Sequence, residues 1–201
     1  SGEKLEKSLE TEFFKKLNCD LYNLYGPTEA AIDVTFWKCR SPSDLSFIPI
    51  GQPIANIEIY ILDKQLKPVP IGAIGELHIG GIGLARGYWN REDLTHQKFI
   101  PHLFKADPQA RLYKTGDLAS YLPDGNVVYL GRLDHQVKIR GYRIELEEIE
   151  AVLKTSPGVK NAAVVVRKDQ IFAYLIADQK ALTELRTHLE TILPHYMIPS
   201  A

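Results

Sequence analysis

The sequence predicts an α+β protein built in two parts. Between residues 49 and 131, short apolar strands alternate with Gly- and Pro-containing turns, a texture typical of a small barrel or curled sheet packed on a larger body. Beyond residues 132–138, strands and helices alternate over about 65 residues, as in a compact α+β domain. A chain of 201 residues has room for both. We therefore expect one part over residues 1–133 and a second over residues 134–201.

A helix is expected first. Apolar side chains recur every fourth position among Lys and Glu over residues 3–17, which predicts a surface helix with one buried stripe. The stripe consists of Leu5, Leu9, Phe13 and Leu17. An extended segment over residues 20–24 follows, then a turn and a helical segment over residues 29–32. Residues 33–38 (DVTFWK) are rich in β-formers and are predicted to be extended.

The remaining elements follow from short apolar runs between turn signals. In the first part, strands are predicted at Tyr113 and over 57–62, 76–79, 118–121 and 127–130. Pro123-Asp124-Gly125 separates the last two and is a hairpin signal. In the second part, the pattern predicts strands over 137–139, 162–167 and 171–177 and helices over 146–154 and 180–193.

Composition narrows the classes of partner. Lys and Arg total 24 against 25 Asp and Glu, a formal charge of −1, so no nucleic-acid or membrane-surface partner is indicated. Cys19 and Cys39 have no His or Cys at metal-ligand spacing, which predicts two free thiols and a reducing cytoplasmic location. No signal segment and no apolar run of membrane-spanning length is present, as in a soluble protein. Because the chain starts at Ser1 without Met, we expect an excised fragment.

Residues 23–29 (NLYGPTE) place an aromatic ring, a hydroxyl and a carboxylate on one tight turn. Gly26-Pro27 restricts the backbone, so the turn is expected to be rigid. Thr28 and the backbone N–H groups can orient phosphate oxygens, Glu29 can bind Mg²⁺, and Tyr25 offers a flat face for a purine. The alternative is a polar strand-to-helix turn with a capping Thr, which these few residues alone favour.

Further polar residues follow predicted strands. Asp117, in Thr115-Gly116-Asp117, can accept hydrogen bonds from both hydroxyls of a ribose or can stabilise its own turn. Arg132 can contact ribose or phosphate or pair with a surface acid, and Tyr129 can pack on a nucleotide or fill the barrel. A basic loop comes next, of a composition typical of a solvated face. It contains Lys138, Arg140, Gly141 and Arg143.

Five segments in this order resemble the successive core motifs of nonribosomal peptide synthetase adenylation domains, within the adenylate-forming superfamily. They are YGPTE at 25–29, GELHIGGIGLARGYWNRED at 75–93, YKTGD at 113–117, GRLDHQVKIRGYRIELEEIE at 131–150 and LPHYMIPS at 193–200. The likeness runs nearly end to end with order and spacing intact. It implies the adenylate-forming α+β fold. Residues 1–133 would end a large N-terminal subdomain with a distorted β-barrel, and residues 134–201 would form a small, mobile C-terminal subdomain.

The resemblance also assigns a site for ATP and Mg²⁺, with Thr28 beside the α-phosphate and Glu29 on the metal as catalytic residues. It implies that Asn23 contacts the adenine edge, Tyr25 the adenine face and Asp117 the ribose diol. The other implied nucleotide contacts are Gly2, Gly26, Thr28, Tyr129 and Arg132. Asp134 would be the hinge of the small subdomain. The channel for phosphopantetheine would be lined by Arg140, Gly141, Tyr142 and Arg143.

The implied reaction has two steps: an amino acid becomes an aminoacyl-adenylate, and a phosphopantetheine thiol on a carrier protein then takes the acyl group. Positioning and charge neutralisation would supply most of the catalysis. By the same resemblance, pocket positions hold Ser1, Leu24, Ile32 and Asp33, a set similar to the code of serine-activating domains. Serine is therefore the expected amino acid, since these residues would form a small apolar pocket with one acceptor. The alternative is that Asp33 caps the neighbouring turn or pairs with a cation. Partners implied are a peptidyl carrier domain and a condensation domain, with an MbtH-like helper as an option and with neither nucleic acid nor membrane.

The resemblance places the family's phosphate loop before Ser1 and its final lysine after Ala201, so the fragment alone is expected to be inactive. Two alternatives remain open. One is a stand-alone acyl- or aryl-CoA ligase of the same superfamily. The other is a non-catalytic module that docks a carrier protein, against which the presence of Glu29, Asp117 and Arg132 counts.

Overall fold

In the computed structural model the chain divides into two compact units, Glu3–Leu133 and Asp134–Ala201. The structure describes residues 4–41, 45–134, 136–139, 141–167 and 169–200, without the side chains at 138, 143, 180, 181, 183 and 184. Each unit has its own hydrophobic core. The subdomain roles expected for these two parts in a larger enzyme stay predictions.

The first unit begins with a helix and a small antiparallel sheet. Helix α1 (Lys7–Lys16) precedes strand β1 (Tyr22–Tyr25), and β1 pairs with β2 (Thr35–Lys38), which pairs with β3 (Gln52–Pro53). Between β1 and β2 lies a single 3₁₀ turn at Thr28–Ala30. Tyr25 therefore ends its strand directly opposite Thr35 at the neck of this loop.

A five-stranded antiparallel sheet forms the body of the first unit. Its elements are β4 (Ile57–Leu62), β5 (Gly75–Gly81), helix α2 (Glu92–Lys98), β6 (Phe99–Pro101), β7 (Arg111–Tyr121) and β8 (Val127–Arg132). The order is β4-β5-β7-β6, with β8 also on β7. Alternation along β4 buries Ile57, Ile59 and Ile61, and Leu62 at its end is also buried. Ile59, Leu77 and Ile79 lie in the core.

The predicted barrel is instead an open sheet. Strands β6 and β8 share the edge of β7 opposite β5, and within the described residues neither pairs with β4. Backbone hydrogen bonding continues from β8 of this sheet to the small sheet β1–β3. The N–H of Val127, the first residue of β8, donates to the carbonyl of Gly51, which directly precedes β3, at 2.8 Å. Because the free edge of β8 is used in this way, the sheet joins a second sheet and does not close on itself.

The second unit pairs two short hairpins with two helices. Its elements are β9 (Val137–Ile139), β10 (Tyr142–Ile144), α3 (Leu146–Thr155), β11 (Val159–Arg167), β12 (Gln170–Ala177), α4 (Gln179–Ile192) and a 3₁₀ turn at His195–Met197. Both hairpins are antiparallel, β9 with β10 and β11 with β12. The apolar faces of α3 and β11 close the core around Ile144, Ile149 and Leu153, all fully buried.

Two local predictions were wrong. The stripe of the first helix is not buried, because Leu9 is 57% and Leu17 52% exposed, and the one buried residue of α1 is Glu10. The helical segment expected over residues 29–32 is only the 3₁₀ turn. Ala31 and Ile32 take left-handed φ values of 61° and 78°, which reverse the chain and end the turn.

Other features agree with expectation. Cys19 is exposed and Cys39 buried, and both are free thiols, as predicted. Strands β4 and β9 have the predicted bounds. Among the described residues, no helix has the length and apolar character needed to cross a membrane.

Candidate active site

A closed corner of backbone joins β1 to β2. The N–H of Val34 donates to the carbonyl of Tyr25 at 2.8 Å, which closes the loop across its base. Gly26 lies inside this corner, and a Cβ there would be only 2.2 Å from the carbonyl oxygen of Ile32. Glycine is therefore required by close backbone approach, and the predicted rigid turn has a steric basis.

The corner brings Tyr25 to Asp117, 92 residues later in the chain. The Tyr25 hydroxyl donates a short hydrogen bond to Oδ2 of Asp117. The other carboxylate oxygen, Oδ1, accepts from Nη1 of Arg132 at 2.7 Å. Three of the residues predicted to contact one nucleotide thus meet in one cluster, in which a charge-assisted pair orders the carboxylate.

The tyrosine of this cluster keeps its proton. Burial of the hydroxyl, followed by the negative charge of Asp117, raises the pKa of Tyr25 well above its ordinary value. The phenol therefore acts as a donor to Asp117. The ring of Tyr129 lies beside it, with ring centroids 6.3 Å apart and planes tilted by 36°. Tyr129 therefore lies beside the ring that holds Asp117.

Asn23 and Tyr25 lie on the same side of β1, because side chains alternate along a strand. The amide nitrogen of Asn23 donates to the carbonyl of Pro49 at 2.8 Å. This bond fixes the side chain beside Tyr25. Contact of Asn23 with an adenine edge stays a prediction.

Glu29 is held by the loop of residues 85–88, which contains none of the predicted nucleotide or metal contacts. The hydroxyl of Tyr88 donates to Oε1 of Glu29 at 2.7 Å, and the N–H of Ala85 donates to the carbonyl of Glu29 at 2.8 Å. Arg111 fastens the same loop by donating to the carbonyls of Arg86 and Ala85. Burial, then the bond to Glu29, raises the pKa of Tyr88, so this phenol also stays a donor.

Glu29 fits Mg²⁺ as a single-carboxylate ligand. This ion is commonly held by one or two carboxylates, with phosphate oxygens and waters completing the octahedron. The part of the chain that the structure describes has no group of three or more His, Cys, Asp or Glu side chains that could hold a metal alone. Glu29 could hold the ion with a nucleotide, and Thr28, exposed beside it, could donate to a phosphate.

The residues predicted to line the amino-acid pocket lie on both sides of the corner in the chain, Leu24 before it and Ile32 and Asp33 after it. Leu24 is 40% and Ile32 62% exposed, whereas Oδ1 of Asp33 is buried and has no hydrogen-bond partner among the described residues. Ile32 is a β-branched residue at a left-handed φ, a strained conformation of the kind that clusters at functional sites. Ser1 and Gly2, also predicted at the site, lie outside the described residues.

Five predicted residues belong to the second unit. The Asp134 carboxylate accepts the N–H of Gln136 at 3.2 Å, and Gly141 takes a φ of 82° in the turn between β9 and β10. Tyr142 stacks on Tyr196, with ring centroids 4.1 Å apart. Arg140 and the side chain of Arg143 lie outside the described residues. The hinge and channel roles of these residues stay predictions.

The sequence analysis missed the residues that support the site. Tyr88 holds Glu29, and Thr115 and Glu76 bond the backbone that precedes Asp117. Tyr88, Thr115 and Glu76 each lie in one of the motifs that resemble the family, in ARGYW, TGD and GEL. Their position in these motifs was the sequence feature that could have identified them. Its use would have needed the register of β5 and β7, which the sequence does not show.

Comparison with known proteins identifies the fold and the family. The AMP-binding enzyme family matches residues 1–89, and the AMP-binding enzyme C-terminal domain matches residues 148–201. A solved structure of PA1221, a nonribosomal peptide synthetase protein containing adenylation and PCP domains, superposes over 100% of this chain and 41% of its own. Its TM-score is 0.87 and its identity 28%.

The chain belongs to the AMP-binding enzyme family. Within it, the chain is an adenylation-domain segment of the nonribosomal peptide synthetase type. Tyrocidine synthase 3 of Brevibacillus parabrevis is 48% identical over 206 aligned residues, which cover 100% of this chain and 3% of the synthase. The adenylation domain AlmE of Vibrio cholerae, solved in complex with glycyl-adenosine-5'-phosphate, has a TM-score of 0.83 and 27% identity over 99% of this chain and 39% of its own.

These matches confirm the predicted adenylate-forming α+β fold, with the open sheet in place of a closed barrel. The relatives named here are peptide synthetases and adenylation domains, which favours that branch over a CoA ligase. The chain spans a small part of tyrocidine synthase 3 and about two fifths of either solved chain.

Proposed function

We propose that this adenylation-domain segment binds ATP and helps to activate an amino acid as its aminoacyl-adenylate for peptide synthesis. The observation that supports this most directly is the cluster of Tyr25, Asp117 and Arg132, joined by two hydrogen bonds to one carboxylate. Separate motifs of the sequence supply these residues, and a ribose beside an aromatic ring is the ligand that suits them. AlmE, with its bound aminoacyl-adenosine phosphate, has the same fold.

The proposed reaction has two steps. A carboxylate oxygen of the amino acid attacks the α-phosphorus of ATP, the bond to the β-phosphate oxygen breaks, and pyrophosphate leaves. A phosphopantetheine thiol then attacks the acyl carbon, loses its proton and expels AMP. Asp117 and Tyr25 hold the nucleoside and Thr28 donates to phosphate. Glu29 would hold Mg²⁺, which would neutralise phosphate charge.

Serine is the proposed substrate. The buried Oδ1 of Asp33, without a partner among the described residues, is a ready acceptor for a short hydroxyl. Leu24 and Ile32 supply apolar walls. An acceptor left unpaired by alanine would disfavour that competitor by roughly 1–3 kcal/mol.

One proposed partner follows from a relative. PA1221 contains adenylation and PCP domains, which supports a peptidyl carrier domain as partner. Phosphopantetheine on that carrier and a condensation domain in the same or a neighbouring chain are further parts of the proposal. An MbtH-like helper and a cytoplasmic location complete the proposal.

The test is amino-acid-dependent exchange of labelled pyrophosphate into ATP, run with the longest natural protein that carries this chain. We expect exchange with serine and little with the other amino acids. Absence of exchange with every amino acid, in protein shown to be folded, would contradict amino-acid activation.

Asp33→Ala tests the substrate. We expect serine-dependent exchange to fall by about 10-fold or more, since one hydrogen bond in a buried pocket is lost, whereas ATP binding stays unchanged. Asp63→Ala is the control, because Asp63 bonds only the backbone of its own turn in the described structure. An Asp33→Ala protein that still prefers serine would rule out this specificity assignment.

A further inference from the structure

Asp117 lies at the end of an irregular step in the central sheet. Lys114 of β7 pairs with His78 of β5, and Leu118 pairs with Glu76. Between these pairs β5 has one residue, Leu77, whereas β7 has three. Two extra residues therefore bulge from β7, and such bulges commonly redirect a side chain at a functional site.

Side chains satisfy the backbone of this bulge. The N–H of Asp117 donates to Oγ1 of Thr115 at 2.9 Å, and the Thr115 hydroxyl donates to the carbonyl of Leu77 at 2.7 Å. The N–H of Gly116 donates to Oε1 of Glu76 at 3.1 Å. Thr115 is therefore a bridge from β5 to the backbone of Asp117, and Glu76 is a second anchor one residue earlier.

The carbonyls of the bulge are also bonded. Nη2 of Arg132 donates to the carbonyl of Thr115 at 3.2 Å, and the N–H of Leu133 donates to the carbonyl of Gly116 at 2.8 Å. Gly116 has a φ of 73°, which permits the reversal at little steric cost. Thr115 is 1% exposed, so loss of its hydroxyl would leave buried groups unpaired.

We propose that Thr115 and Glu76 are positioning residues for ribose recognition, which they achieve by fixing the bulge that aims Asp117 at Tyr25. The inference rests on the proposed function, in which Asp117 accepts hydrogen bonds from the ribose hydroxyls. Neither residue needs to touch the nucleotide. Thr115 fixes the backbone N–H of Asp117, and Glu76 fixes the peptide before it.

The experiment measures discrimination between ATP and 2′,3′-dideoxy-ATP in equilibrium binding to the longest natural protein that carries this chain. Thr115→Val keeps the shape and removes the hydroxyl, and Thr115→Ser restores it. We expect Thr115→Val to weaken ATP binding about tenfold and dideoxy-ATP binding little, with Thr115→Ser close to wild type. Thr35→Val is the control, because the buried Thr35 hydroxyl has no hydrogen-bond partner among the described residues.

Other outcomes overturn the inference. Equal weakening of both nucleotides, or no weakening, would show that Thr115 has a structural role only. If Thr115→Val does not fold, Glu76→Met removes the second anchor and Glu76→Gln retains an acceptor, and the same comparison applies. Wild-type protein that binds both nucleotides equally would refute the proposed role of Asp117 and this inference together. Discrimination in wild type that persists unchanged in the variants refutes the inference alone.

Discussion

In the proposed site, Tyr88 would orient the carboxylate of Glu29 for Mg²⁺. The Tyr88 hydroxyl donates to Glu29 Oε1 at 2.7 Å, so the carboxylate has a defined orientation before any ligand binds. Such partners of a metal-binding carboxylate typically matter by 10- to 100-fold in metal affinity or activity. The site therefore depends on a residue that would not itself contact the ion.

We expect Tyr88→Phe to raise the Mg²⁺ concentration needed for half-maximal pyrophosphate exchange by about 10-fold. The phenyl ring would keep its packing against Phe99, so the fold should be retained. Tyr60→Phe is the matched control, since the Tyr60 hydroxyl donates at 2.9 Å to Glu58, a glutamate outside the site. An unchanged Mg²⁺ requirement in Tyr88→Phe would show that the hydrogen bond from Tyr88 does not orient Glu29 for the ion.

The residue types of the site could be predicted, but their mutual contacts could not. Motif resemblance identified Tyr25, Asp117 and Arg132, and the structure brings them together. The bond from Tyr25 to Asp117 depends on two extra residues in β7 and on a closed corner after β1. Such a match across distant segments is a property of sheet register, which no local pattern encodes.

Helix α1 is anchored through a buried charge. Glu10 is buried with Lys7 as its ion partner, and it lies beside the thiol of Cys39, the residue that follows β2. Burial first, and Glu10 second, raises the pKa of Cys39 to about 11. At neutral pH this thiol is therefore protonated and inert, because the thiolate is the reactive form.

We expect a thiol reagent at pH 7.5 to modify Cys19 rapidly in the native protein and Cys39 only in denaturant. Glu10→Ala should speed modification of Cys39, because it removes the neighbouring negative charge and weakens the docking of α1. Glu12→Ala, on the exposed side of the same helix, is the control. Slow Cys39 modification that Glu10→Ala does not change would contradict this account of how α1 is held.

The success of each element prediction depended on its periodicity. Strand β4 was predicted to the residue from a short apolar run in which Ile recurs at every second position from Ile57 to Ile61. Strands β3, β6 and β10 have only two or three residues, too few to show a period, and were not predicted, although β9, of equal length to β6 and β10, was. The four-residue repeat of α1 did indicate a helix, but Leu9 and Leu17 are exposed while Glu10 is buried, since pattern alone does not decide which face is covered.

The described residues form two cores that share no residue. One is built on the open sheet around Leu77, and the other on α3 and β11 around Ile149. After residue 131 the sequence pattern changes from short strands between turns to alternating strands and helices. This change predicted a division into two units. The connection of the large sheet to β1–β3 through Val127 and Gly51 was beyond prediction, because it rests on two backbone hydrogen bonds with no side-chain signature.

Separate cores imply separate unfolding, and the placement of tryptophan makes this measurable. Both tryptophans, Trp37 and Trp89, belong to the first unit, so tryptophan fluorescence reports that unit while circular dichroism reports both. Leu77→Ala and Ile149→Ala each empty a fully buried position, which should destabilise the affected unit by about 2–5 kcal/mol. Leu77→Ala should lower the denaturant midpoint seen by fluorescence, and Ile149→Ala should leave that midpoint unchanged while shifting part of the dichroism signal. Equal shifts of both signals in both variants would mean that the two units unfold as one cooperative body.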